Sequence, residues 1–201
     1  MRAYCEHCAY PLSTCVCSAL VPFDIPLDIY ILQHAKEASH AKNTAKLVAI
    51  SNQRTHIVAH NDAERINALK QTLSPNTSAI LYPSDNSAAL EDHKDALARR
   101  LTHLVVIDGS WRQAFGIMQL YPWLTMLPSF HFNSAPQTQY AIRHTQVKAG
   151  LSTLEATAYA LGCVYNIDVS PLYNLQQAMQ QHWQGPKHHR RATKKTNLAR
   201  G

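Results

Sequence analysis

The stretch Leu104-Val105-Val106-Ile107-Asp108-Gly109-Ser110-Trp111 sets the tightest limit on what this chain can become. Four consecutive apolar residues, three of them β-branched, read as a short strand buried on both faces, the pattern of a parallel sheet covered by helices. The run stops at an acid, a glycine, a hydroxyl and a tryptophan. Helical spacing follows at Trp111, Phe115, Met118 and Tyr121. A carboxylate at the carboxyl end of a buried strand, followed by a glycine turn and a helix start, sits where open α/β folds place ligands. Ser110 is placed to cap the helix, whose N-terminus favours an anion. The same pattern also suits an ordinary strand-turn-helix corner in which Asp108 or Ser110 is only a cap.

The flanking chain repeats the theme. Strands are expected at residues 27–32, 55–58 and 78–82, and helices near Asn43–Ile50, Asn61–Leu73, Ala88–Arg100 and Trp111–Tyr121. Strands alternating with helices imply an α/β fold with a mostly parallel sheet. The strand ends at Gln33-His34, Tyr82-Pro83 and Asp108 should then share one edge. Beyond Tyr121 the pattern is less regular, with Pro122, Pro128 and Pro136 as punctuation and weak alternation over Gln139–Arg143 that suits an edge strand. Ser152 and Glu155 have the spacing of a capping box for a helix to about Leu161. A last helix starts at Pro171 and ends at Gly185-Pro186. The 201 residues, 46 % of them apolar, suffice for one α/β domain and a small appendage.

Four of the five cysteines, Cys5, Cys8, Cys15 and Cys17, lie within the first 20 residues. Thiols stay reduced in the cytosol, so four thiolates on two short knuckles point to a tetrahedral structural zinc site rather than to two disulfides. His7 is a competing ligand, and a redox dithiol is the bland alternative. Cys163, alone in an apolar segment, reads as a small core residue. No apolar run approaches the roughly 20 residues of a membrane helix. No apolar signal segment follows Met1, so a cytoplasmic location is expected. The net charge of +6 is concentrated in a tail from Lys187 to Arg200 that lacks acids. Its Lys187, Arg190, Arg191, Lys194 and Lys195 suit a nucleic-acid arm.

Taken in order, the Cys knuckles, Gln33-His34-x-x-Glu37, Asn43-Thr44, Leu81-Tyr82-Pro83, Asp108-Gly109-Ser110-Trp111, Tyr140-x-x-Arg143 and Leu151-Ser152-Thr153-x-Glu155-Ala156 resemble the DTW-domain family. The resemblance runs from Cys5 to about Leu161. Each motif is weak alone, and their order and spacing together are specific. Ser110 stands where the family has the threonine of its name, which keeps the hydroxyl, and Ala35 stands where it usually has proline.

The bacterial branch of that family is tRNA-uridine aminocarboxypropyltransferase. The resemblance therefore implies a SPOUT-like sheet related to the knotted RNA methyltransferases, with a C-terminal knot and S-adenosylmethionine bound at the knotted edge. Together with the cysteine spacing and the basic tail, it divides the chain into a zinc knuckle (1–20), a catalytic α/β domain (21–185) and a basic tail (186–201). The implied reaction moves the 3-amino-3-carboxypropyl group of S-adenosylmethionine to N3 of a tRNA uridine and releases 5′-methylthioadenosine.

N3 carries a proton, so Asp108 is the candidate activator, with positioning supplying much of the rate. Donor contacts are expected from Leu81, Tyr82 and Pro83, from Ile107, Asp108, Gly109, Ser110 and Trp111, and from Leu151, Ser152, Thr153 and Glu155. Trp111 either packs on the adenine or fills the core, and the core is favoured. tRNA contacts are expected from His34, Lys36, Lys42, Asn43, Arg112, Arg143, Lys148 and the tail. Arg143 or Lys148 could instead pair with the transferred carboxylate. Two rival functions stand beside this one: a SPOUT-type RNA methyltransferase, and a zinc-knuckle RNA-binding module without catalysis. The sequence carries no dimer signal, so monomer and homodimer both stand.

Overall fold

The computed structural model of the protein describes residues 3–40, 42–142 and 150–182. Its centre is a six-stranded sheet, all parallel: β1 Asp28–Gln33, β2 Thr55–Ala59, β3 Ser78–Leu81, β4 Ala88–Ala89, β5 His103–Asp108 and β6 Ser129–His131, in the order β2-β1-β5-β3-β6-β4. The helices are α1 Ala35–Ala38, α2 Ala45–Ser51, α3 Ala63–Thr72, α4 Leu90–Arg100, α5 Trp111–Leu120, α6 Thr153–Tyr165 and α7 Ser170–Gln181. Because every strand runs the same way, all carboxyl ends emerge on one rim. Gln33 pairs with Asp108 across β1 and β5, and Leu81 pairs with Val106 across β3 and β5.

Successive side chains of β5 point to opposite faces, as the pleat requires. Leu104 and Val106 join one core with Leu27, Ile29, Ile31, Leu47, Leu97, Leu154 and Leu172. Val105 joins a second core with Leu32, Val58, Ile66, Ile80, Ile117, Met118, Leu124 and Leu127. The first face therefore carries α2, α4, α6 and α7, and the second carries α3, α5 and the 3-10 turn Pro122–Met126. The cysteine knuckle is continuous with the first core: Cys8, Tyr10 and Val16 are buried in it. Each fully buried leucine contributes about 1.5–3 kcal/mol relative to exposure.

Helix starts follow their caps. Ser110 and Ser152 each form a complete capping box, with Gln113 and Glu155 as the third residues, and Asp62 caps α3. Helix α6 runs past Leu161 and stops at Asn166, which takes the left-handed conformation that ends helices. Three expectations are corrected. Residues Gln139–Ile142 form no strand, because their hydrogen bonds go to side chains: Gln139 N–H to Glu155 and Ala141 N–H to Gln180. The edge strands are instead β2 and the two-residue β4, with the short β6 paired between β3 and β4. Ala88 and Ala89 are strand, not the start of α4. Trp111 does not fill the core: it is 54 % exposed, and Phe115 is 57 % exposed. The buried face of α5 is Ala114, Ile117 and Met118, since Leu124 and Leu127 already cover the neighbouring part of the sheet.

Candidate active site

Asp108 closes β5 with its side chain turned to the first face, 5 % exposed. Three donors converge on its carboxylate. Gln33 Nε2 donates to Oδ2 at 2.9 Å and Asn43 Nδ2 donates to Oδ2 at 3.3 Å. The Thr153 hydroxyl donates to Oδ1. They come from the end of β1, the loop before α2 and the first residue of α6, so the acid joins three separate elements. The Asn43 amide cannot turn over. Its Nδ2 also donates to Glu37 O at 2.7 Å, and its Oδ1 accepts from Lys46 N–H at 3.1 Å. Gly109 keeps the following turn tight, since a Cβ there would lie 3.1 Å from Gln113 Cβ and 3.5 Å from His34 Cβ. A buried carboxylate is costly unless hydrogen-bonded, and here it is met on both oxygens.

Asp108 lies at the wall of a cleft of about 310 Å3, shared with Glu37, His40, Lys42, Asn43, Thr44 and Tyr140. Lys42 Nζ donates to Ile142 O at 2.6 Å, the Tyr140 hydroxyl donates to Lys42 O, and burial lowers the Lys42 pKa. Behind this wall stands a second buried acid, Glu155, 2 % exposed. Its Oε1 accepts from Gln139 N–H at 2.7 Å and Gln176 Nε2 at 3.2 Å. Its Oε2 accepts from the Thr138 hydroxyl and Ser152 N–H, both at 2.8 Å.

The four N-terminal cysteines place their sulfurs within 4.8 Å of one another. Cys5 and Cys17 are 3.6 Å apart, and Cys8 and Cys15 are 3.7 Å apart. A tetrahedral ion with Zn–S bonds near 2.3 Å sets sulfurs about 3.8 Å from each other, so the cluster fits a metal ion without rearrangement. His7 is exposed and outside it. Backbone N–H groups of Cys8 and His7 lower the Cys5 pKa to about 6, whereas burial and the neighbouring thiols push Cys17 up to about 12. The knuckle also props the cleft: Tyr10 donates to Asn43 O at 3.4 Å, and Lys46 Nζ donates to Ala9 O at 2.6 Å.

Residues 2–184 match the family described as DTW domain. The chain belongs to the DTW-domain family. It is similar to tRNA-uridine aminocarboxypropyltransferase 2 of Drosophila melanogaster, 34 % identical over 173 residues, covering 80 % of this chain and 66 % of the relative. The proteins of the same name from Macaca fascicularis and Mus musculus are 28 % identical, covering 80 % and 90 % of this chain. They are longer: the chain spans 56 % and 65 % of their length. No solved structure matches.

Within this DTW domain the expected residues fall into three groups. Asp108, Asn43, Thr153 and Lys42 meet at or beside the cleft. Tyr82 and Pro83 do not. They line a separate cavity of about 550 Å3 on the second face, with Phe115, Met118, Gln119 and Met126. Ile107 is half-buried against the second core, Leu81 ends β3, and Ser110 spends its hydroxyl on the cap of α5. Ser152 is buried, donating to Gln176 Oε1 at 2.7 Å, and Leu151 is half-buried beside it. His34 lies on the rim, its ring stacked on His60 at 4.5 Å and its Nδ1 accepting from Lys36 N–H. Lys36 and Arg112 are exposed. Arg143, Lys148, Lys187, Arg190, Arg191, Lys194 and Lys195 lie outside the described residues.

Gln33, Glu37 and Tyr140 enter the sequence reading only as members of motifs, with no role of their own, and Thr138 and Gln176 do not enter it. The strand-end reading does place Gln33 on the edge of Asp108, which the register bears out. Gln176 carries no signal, since it sits among core positions of α7.

Proposed function

We propose that this chain transfers the 3-amino-3-carboxypropyl group of S-adenosylmethionine to N3 of a uridine in tRNA, releasing 5′-methylthioadenosine, in the cytoplasm. The observation that carries the reading is the DTW-family aspartate, Asp108, buried at the strand rim and held by three donors beside an open cleft. Fixed in this way, Asp108 presents its carboxylate to the N3 hydrogen of a uridine entering the cleft. Its gain is orientation: Gln33, Asn43 and Thr153 leave the side chain no freedom to lose on reaching the reactive geometry. N3 then forms a bond to the γ-carbon of the donor as the γ-carbon–sulfur bond breaks. The bonding pair stays on sulfur, which leaves as a neutral thioether, and the imide proton leaves through Asp108 to solvent.

The uridine must be unstacked to reach the rim, which favours a loop nucleotide of folded tRNA. The return of the chain from β6 to Tyr140 and Thr153, beside β1 and β5, supports the SPOUT-like arrangement with a C-terminal knot. Four converging sulfurs support zinc as the metal of the knuckle. With no open coordination position, that ion holds the fold and takes no part in the transfer.

The test is product analysis. Purified protein, tRNA and S-adenosylmethionine should give methylthioadenosine and a nucleoside heavier by one aminocarboxypropyl group. S-adenosylhomocysteine with a methylated nucleoside would make it a methyltransferase. tRNA binding without product at any enzyme concentration would leave a binding module.

A further inference from the structure

We propose that the Asp108 cleft is a recognition site for an α-amino-acid zwitterion, the amino-acid end of the donor, with Lys42 facing its carboxylate and Glu37 its ammonium. This rests on S-adenosylmethionine being the donor, as proposed above. It differs from the assignment of Lys42 to RNA and of Arg143 or Lys148 to the transferred carboxylate.

Three observations support it. First, the cleft holds both signs of charge in one small space: Lys42, Glu37 and Asp108 all line about 310 Å3. The cavity on the second face is lined by Tyr82–Asn86, Phe115, Met118, Gln119 and residues 124–129, where Asp85 is the only acidic or basic side chain among the described residues. Among those residues it offers no Lys or Arg to a carboxylate, which favours the Asp108 cleft for that end of the donor.

Second, two of the other polar side chains of the cleft, Asp108 and Asn43, are held in place by the fold itself. Both oxygens of Asp108 receive hydrogen bonds, and both ends of the Asn43 amide are used. The Glu37 carboxylate, in contrast, makes no hydrogen bond or ion pair among the described residues. It is an anion at a cleft wall, able to take an ammonium at no cost to the fold. Third, Lys42 is fixed rather than free-swinging. Its Nζ bonds Ile142 O, and its own carbonyl is held by Tyr140, so its charge stays at the wall. A charge placed in advance loses little entropy on binding.

The size agrees. A cleft at the low end of ligand-pocket volumes takes an amino-acid chain and leaves the nucleoside to project along the rim. The γ-carbon then lies in the same cleft as Asp108, where transfer to N3 requires it.

The deciding experiment titrates two ligands into the full chain by calorimetry. Methylthioadenosine lacks the amino-acid arm, and S-adenosylhomocysteine carries it. Lys42→Met, which keeps the apolar stem, should weaken S-adenosylhomocysteine about tenfold or more, the loss expected for a hydrogen bond to a charged group. Methylthioadenosine should stay within about twofold. Glu37→Gln should shift the same ligand in the same direction by a smaller factor, and it carries the test if Lys42→Met fails to fold. Equal losses for both ligands, or no loss for either, would overturn the assignment while leaving the donor intact. If the unaltered protein binds neither ligand, the donor itself is wrong and this inference falls with it.

Discussion

The two sides of the strand rim are built differently. On the first face, around Asp108, polar groups are buried and each answers to several partners: Asp108 to three donors, Asn43 to three groups, Glu155 to four. On the second face the cavity is edged by large apolar side chains left in water, Phe115 and Met126 at 57 % and 72 % exposure, and the exposed Trp111 starts the helix that carries Phe115. The difference teaches where each side can tolerate change. A saturated polar network is worth its full value only when complete, because each lost partner strands another buried group. An exposed apolar side chain has no such dependants. One side is suited to hold a reacting atom, and the other to meet a surface of variable shape.

Changes on the first face should therefore be severe. Asp108→Asn is the sharpest. The new side chain keeps its oxygen toward Gln33 and Asn43 and turns its NH2 to Thr153, whose hydroxyl can accept as well as donate. The fold should survive, with the melting temperature lowered by a few degrees at most. Transfer to tRNA should fall by about 10²–10⁴, the usual worth of a positioned base. Steady-state assays with the variant beside the unaltered protein check this, and retained activity would remove Asp108 from the mechanism.

Glu155→Gln comes next. Its new NH2 must point at donors: Thr138 and Ser152 N–H on one side, or Gln139 N–H and Gln176 on the other. At least one buried donor is left without an acceptor, a cost of about 1–3 kcal/mol. In a chain of this size that is roughly 2–10 °C in melting temperature, read by calorimetry. Because Glu155 holds the segment leading to Tyr140, the Michaelis constant for the donor should rise as well. A variant that melts lower but keeps its Michaelis constant would mean that Glu155 supports the core and not the cleft.

How much of this was legible beforehand divides along the same line. The apolar run ending at Asp108, the serine caps at positions 110 and 152, and the four-cysteine knuckle were readable because each is a local pattern with a local cause. Strand burial, helix capping and tetrahedral ligation need few residues to declare themselves. The partners of Asp108 were not, because Gln33, Asn43 and Thr153 are 75, 65 and 45 residues away in sequence. The parallel reading put Gln33 and Asp108 on one edge, as their register bears out, but pattern alone does not say which polar groups bond across it. The short β6 was hidden by the prolines around it. The weak alternation at Gln139–Ile142 suggested a strand, but the backbone there bonds to Glu155 and Gln180 instead. Trp111 was misplaced for a related reason. The spacing of Trp111, Phe115 and Met118 marks an apolar stripe, and only packing against Leu124 and Leu127 decides which part of it is covered.

The second face is where the smallest effect is expected. Trp111→Ala removes the largest side chain of α5, yet that side chain is half in water and makes no hydrogen bond among the described residues. It follows Ser110, and the Ser110–Gln113 capping box that starts the helix does not depend on it. Alanine is also the better helix former. Stability should thus change by less than about 0.5 kcal/mol, within the range of ordinary surface substitutions. The Asp108 network should be untouched, so the margin by which S-adenosylhomocysteine binds more tightly than methylthioadenosine should be the same as before. Thermal melting and calorimetry on the variant check both. A large drop in melting temperature would mean that Trp111 is covered in the folded protein and that the two sides of the rim are built alike.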